Sequence, residues 1–175
     1  MFRVILVASL AWIGAAGLAS GQPPAMPTKL VDLTRYAGRW YEIARVDNAF
    51  ERATDCEAPT ADYRESGEGA VSVVQTCHKG SPTGVVRTFR AAGRILDPGV
   101  NARLRLNFYL LASKEFWVLD HGEDYQWAIL GDPDGEFVWL LDRSPDVEDA
   151  ARTALVSRIG ALGYDTSKLH FPSQK

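Results

Sequence analysis

From Arg39 to Arg143 this 175-residue chain reads as eight short segments with strand character, each bounded by turn chemistry. They are RWYEIARV (39–46), TADYRE (60–65), AVSVVQTC (70–77), GVVRTFRAAGRI (84–95), ARLRLNFYL (102–110), EFWVLD (115–120), DYQWAILG (124–131) and EFVWLLDR (136–143). Alternation is plainest where Leu104, Leu106 and Phe108 interleave with Arg103, Arg105 and Asn107. Turn signals such as ESGE, KGSPTG, DPGVN and DPDG separate the segments. Short strands at such spacing specify an all-β sandwich or barrel. Sequential antiparallel strands with short turns suit an up-and-down barrel, because closure removes the exposed edges.

One helix follows the strands. SPDVEDAARTALVSRIGALGYD opens with Ser144 as the expected N-cap and Pro145 at the first helical position. Asp146, Glu148 and Asp149 complement the dipole there. Val147, Ala151, Ala154, Leu155, Ile159 and Leu162 recur on one expected apolar face, and Gly163 is the expected C-terminal cap. Such a helix has to dock its stripe on the outside of the β structure.

The two cysteines, Cys56 and Cys77, flank a hairpin centred on ESGE. If they stand directly opposite one another, the constant index sum of an antiparallel pair puts the turn between Ser66 and Gly67. Opposed residues lie within disulfide reach, and an even cysteine count in an exported chain favours a bridge.

Export is expected from the N-terminus. Residues 1–21 carry one basic residue, Arg3, then an uncharged apolar run to Ala19 and a small-residue cleavage region. That order is a cleaved signal peptide, and the run is too short and too rich in Ala and Gly for a membrane span. A Pro-rich leader (22–30) and one domain (31–175) remain. The signal lacks the cysteine that lipid attachment requires, so the expected location is periplasmic or secreted, with outer-membrane association left open. The net charge of −3 and the lack of any Lys/Arg run give no long-range attraction for nucleic acid or anionic membrane.

Gly38-x-Trp40-Tyr41 with its LTRYAG lead-in resembles the first signature of the lipocalin family. Asp124-Tyr125-x-Trp127-Ala128 is similar to the second, and Leu141-Asp142-Arg143-Ser144-Pro145 to the third. WYEIAR and AFER most resemble the bacterial outer-membrane lipocalins of the Blc type and apolipoprotein D. The resemblance implies an eight-stranded up-and-down barrel with its helix outside. It also implies a base plugged by Trp40, with Arg143 over the indole and Gly38 permitting a close crossing.

It further implies a small hydrophobic ligand inside the barrel: a fatty acid, a lysophospholipid or a similar lipid. With Trp40 inward, alternation points Glu42 and Ala44 the same way. Tyr63, Val73, Gln75, Leu104, Leu106, Phe108 and Trp139 are the expected ligand-facing set, Tyr63 and Trp139 by resemblance to apolipoprotein D. Arg87 is in phase with Val85, Phe89 and Ala91 and meets a ligand anion if that face is inward. A haem- or pigment-binding lipocalin, or a lipocalin-fold enzyme, is the alternative. No catalytic constellation supports an enzyme: His78, His121 and His170 fall in apparent turns or the tail, without an elbow motif or zinc spacing. No cofactor, metal or nucleic-acid partner is expected; peripheral membrane association and a homodimer stay open.

Overall fold

The structure, a computed structural model, describes residues 23–49, 52, 55–108 and 113–175; the expected signal peptide lies outside them. A short helix α1 (Leu33–Tyr36) leads into eight strands. These are β1 (Gly38–Val46), β2 (Cys56–Glu65), β3 (Ala70–Lys79), β4 (Val86–Ile95), β5 (Arg103–Phe108), β6 (Ser113–His121), β7 (Trp127–Gly131) and β8 (Val138–Asp142). Helix α2 (Asp149–Ala161), a 3-10 turn (Thr166–Lys168) and a two-residue strand β9 (Leu169–His170) follow. Each strand pairs antiparallel with the next, and β1 pairs with both β2 and β8, so the sheet closes into the expected eight-stranded barrel.

Two apolar clusters lie on either side of this wall. Inside, Trp40, Val73, Leu104, Leu106 and Val118 pack the lower half of the barrel. Outside, Leu155 and Ile159 of α2 seal against Ile43, Ala44, Ile129 and Leu140. The helix begins later than its sequence suggests, with Glu148 as N-cap. Ser144 instead closes a tight turn, its hydroxyl donating to the Asp146 carbonyl and accepting the Asp146 N–H. Ala151 and Ala154 face solvent, so the docking stripe is narrower than expected. Gly163 ends the helix at φ +99°, the left-handed conformation that glycine adopts freely.

Irregularities in β1 and β2 redirect side chains. Between Glu42 and Ala44 the β1–β8 register shifts. This bulge turns Ile43 and Ala44 outward to the helix and returns Arg45 to the interior. The expectation that Ala44 shares the face of Glu42 is thereby corrected.

The β2–β3 hairpin also differs in register. Tyr63 pairs with Val73, and Cys56 pairs with Lys79, not with Cys77. The cysteines nevertheless form the disulfide, with Cα atoms 5.4 Å apart, because they are diagonal neighbours on one face across a second bulge between Glu57 and Thr60.

β1 pairs with β2 only along Gly38–Tyr41, and beyond that with β9 through Arg45 and Val46. The tail spans the gap so created. Ala58 N–H donates to the Ser173 carbonyl at 2.7 Å, and Gln174 Nε2 donates to the Glu42 carbonyl at 2.7 Å. The seam beside the upper barrel is thus bridged from both sides.

Candidate functional site

At the lower end the three sequence signatures converge. Trp40 is fully buried and its indole N–H donates to the Tyr36 carbonyl at 2.8 Å. Arg143 lies over that ring at 3.6 Å from its centroid. Its guanidinium donates to the carbonyls of Arg35, Tyr36, Ala37, Arg39 and Tyr125. Gly38 adopts φ +99°, and a Cβ there would come to 3.4 Å from Arg143 Nη1. Asp124 and Tyr125 belong to the turn before β7 and not to the strand; Tyr125, at φ +59°, stacks on His121. This end is solid.

The upper half is hollow. A cavity of about 240 Å³ lies between the mouth ends of the strands. Phe89, Phe108, Phe116, Leu130 and Trp139 form its apolar wall, with Phe116 in ring contact with both Phe108 and Trp139. Of the expected ligand-facing set, Tyr63, Gln75, Phe108 and Trp139 line this space. Val73, Leu104 and Leu106 do not; they face inward as alternation requires but pack in the core below. Alternation fixes the face of a residue, not its depth along the barrel.

One side of the cavity is polar, and the sequence did not point to its central residue. Arg45 is only 3% exposed. Its Nη1 donates to Glu42 Oε1 at 2.7 Å, its Nε to Asp47 Oδ1 at 2.5 Å, and its Nη2 to the Cys56 carbonyl at 3.3 Å. Burial opposes the charge of Arg45, but the carboxylates of Glu42 and Asp47 outweigh it and raise the guanidinium above its ordinary range. Glu42 is therefore ion-paired, satisfying a carboxylate that would be costly alone. Thr60, Gln75 and Thr76 extend the polar side, and the Cys56–Cys77 bridge is part of the wall. Tyr63 sits near the floor, where burial pushes its hydroxyl up. Arg87, opposite Cys77 on the inward row, is half-buried at the rim and does not line the cavity.

The histidines sit in regular structure more than the sequence suggests: His78 on β3, His121 at the end of β6 and His170 on β9. His121 is buried below the barrel, its ring nitrogens against the carbonyls of Gly122 and Leu30 at 2.9 and 3.1 Å. Among the described residues no group of three or more His, Cys, Asp or Glu is placed to hold a metal ion. No described helix is long and apolar enough to cross a membrane.

A closed antiparallel barrel with one plugged end and an internal cavity defines the class of small-molecule-binding β-barrels. The lipocalin-like domain family matches residues 31–174, and the chain belongs to that family, whose members bind small hydrophobic ligands. Outer membrane lipoprotein Blc of Vibrio cholerae is 28% identical over 158 residues, covering 89% of this chain and 90% of that protein. Mouse apolipoprotein D is 25% identical over 163 residues, covering 85% and 80%. Among solved structures, insecticyanin from the tobacco hornworm Manduca sexta superposes with a TM-score of 0.65. It is 20% identical, with 87% of this chain and 85% of that one covered.

Proposed function

We propose that this lipocalin binds and carries a single-chain lipid, such as a fatty acid or lysophospholipid, in an exported compartment. The observation that carries the reading is the cavity itself. It is closed by Trp40 below, walled by four aromatic rings on one side and given a polar strip by Arg45, Glu42 and Gln75 on the other. Apolar walls with a few fixed polar groups are the usual make-up of a small-molecule site. At about 240 Å³ the space falls near the low end for ligand pockets, which suits one slender chain and disfavours a haem or other broad pigment.

In this reading Tyr63, Gln75, Phe108 and Trp139 touch the chain, while Val73, Leu104 and Leu106 form the floor that limits its length. The reading assigns no catalytic step and no cofactor. Residues 1–21 act as a cleaved signal, 22–30 as a leader and 31–175 as the binding domain. Export agrees with the names of the relatives, an outer membrane lipoprotein and an apolipoprotein.

Native mass spectrometry of freshly purified protein tests the proposal, together with tryptophan fluorescence during titration with fatty acid or lysophospholipid. A co-purifying lipid or saturable quenching is expected, with no absorption band in the visible range. Neither lipid nor quenching would overturn the carrier reading, and a visible band would replace it with pigment binding.

A further inference from the structure

The modest net charge conceals a strong segregation. Residues 69–114, which contain β3, β4 and β5, hold seven Lys and Arg (Lys79, Arg87, Arg90, Arg94, Arg103, Arg105, Lys114) and one acidic residue, Asp97. The other 21 of the chain's 22 acidic residues lie elsewhere. Asp97 is itself occupied, accepting the N–H groups of Ala102 and Arg103.

Register puts four of these cations, Arg90, Arg94, Arg103 and Arg105, on the outside of the barrel, while Arg87 and Lys114 lie on inward rows. Ala91 faces the core, so Arg90 and Arg94 project outward from β4 and are exposed. Arg94 stands directly opposite Arg105 of β5, and exposed Arg64 extends the face onto β2. Like charges opposed across a ladder repel, and among the described residues the carboxylate paired with this outer row is Glu115, which binds Arg105 at 3.3 Å and Arg103 more closely. Arg64, Arg90 and Arg94 have no ion-pair partner among the described residues.

At the mouth end of the same face, between Lys79 and Arg87, the last loop residue Val85 and the first residue of β4, Val86, are 75% and 57% exposed. From these observations we propose that the outer face of β2–β5, with its valine tip, docks on an anionic phospholipid bilayer. The guanidiniums pair with headgroup phosphates while the two valines enter the acyl boundary. A nucleic acid would meet the arginines but has nothing to offer the valines. Docked in this way the barrel lies along the bilayer with the valine-bearing rim of its mouth at the lipid, which gives the contact its use if the cavity carries lipid; the contact itself does not depend on that reading.

Sedimentation with vesicles tests the proposal. The purified protein is mixed with vesicles of phosphatidylcholine alone, or of phosphatidylcholine with phosphatidylglycerol, at low and high salt. Binding is expected only with phosphatidylglycerol and should weaken with salt. Arg90→Glu with Arg94→Glu should reduce partitioning by about 5-fold per arginine or more. Val85→Ser with Val86→Ser should leave binding more salt-sensitive. None of these residues lines the cavity, so lipid quenching of tryptophan in solution should be unchanged in every variant.

If quenching persists but the parent ignores anionic vesicles, the docking proposal is overturned and the carrier reading stands. The proposal also fails if the charge reversals leave vesicle binding intact, or if the face holds duplex DNA while phosphatidylglycerol vesicles do not bind.

Discussion

Arg143 and Trp40 form one unit: the guanidinium carbon lies 3.6 Å from the centroid of the indole ring, and its N–H groups hold the carbonyls at the end of α1. A cation over an aromatic face that also satisfies backbone acceptors joins the last strand to the first. It does so at the point where the barrel would otherwise gape.

Removing that unit should loosen the base without touching the cavity. Arg143→Ala is expected to lower unfolding stability by ~1–3 kcal/mol, because packing and donors are lost together. Lipid affinity of the folded fraction should hardly change. Denaturant unfolding and tryptophan titration check both statements; unchanged stability with lost binding would put Arg143 in the ligand site.

The Cys56–Cys77 bridge closes a separation of 21 residues and contributes to the cavity wall. Alkylation of unreduced protein should find no free thiol in either position. Cys56→Ser with Cys77→Ser should cost about 3 kcal/mol in chemical denaturation.

Depth along the barrel predicts opposite outcomes for two tryptophan insertions. Leu106 is 3% exposed in the packed half, so Leu106→Trp overpacks the core and costs ~1–3 kcal/mol or more. Gln75 lines the hollow half, so Gln75→Trp fills the cavity and should abolish lipid quenching at little cost in stability. Melting temperature and titration on the pair separate the two regions; equal destabilisation would mean that no void exists.

Glu115 makes part of the fold's stability acid-sensitive. Burial would raise its carboxyl, but bonds from the Trp117 indole, Arg103 and Arg105 outweigh burial and hold it below the usual value of 4.5. A carboxyl depressed in the folded state stabilises fully above its unfolded pKa and loses that contribution as pH falls through the lower folded value. The parent's stability advantage over Glu115→Gln should therefore be constant above about pH 5 and shrink below pH 4. Melting temperatures across that range would contradict this if the advantage grew on acidification.

Removal of residues 172–175 should uncover the seam between β1 and β2, because the Ala58 N–H loses Ser173 and the Glu42 carbonyl loses Gln174. Stopped-flow release of a fluorescent fatty acid should be faster in the truncated protein.

Much of this arrangement is legible in the residues, and the exceptions share a cause. Strand count, closure and the Trp40 plug follow from alternation, turn chemistry and three motifs. Arg45 escaped because a bulge inverts the parity of β1 after Glu42, and a strict two-residue period cannot register an inserted residue. The cysteine pair is correct although the assumed register is not, since diagonal neighbours also fall within disulfide reach. Ser144 has the chemistry of a helix cap, yet it caps a turn ahead of the helix and leaves the N-cap to Glu148. Leu104 and Leu106 show that a sequence encodes which side of a wall a residue faces more openly than how far down the wall it stands.

The plug at Trp40 also sets a rule for traffic. A guest in the upper half has solid protein beneath it, so it leaves by the way it entered, and a newcomer cannot push it out from behind. Exchange is then strictly sequential: the first occupant departs, the chamber stands empty, and only then does the second arrive. Departure should keep one rate however crowded the surroundings become, which makes the residence time a property of the barrel and its occupant alone.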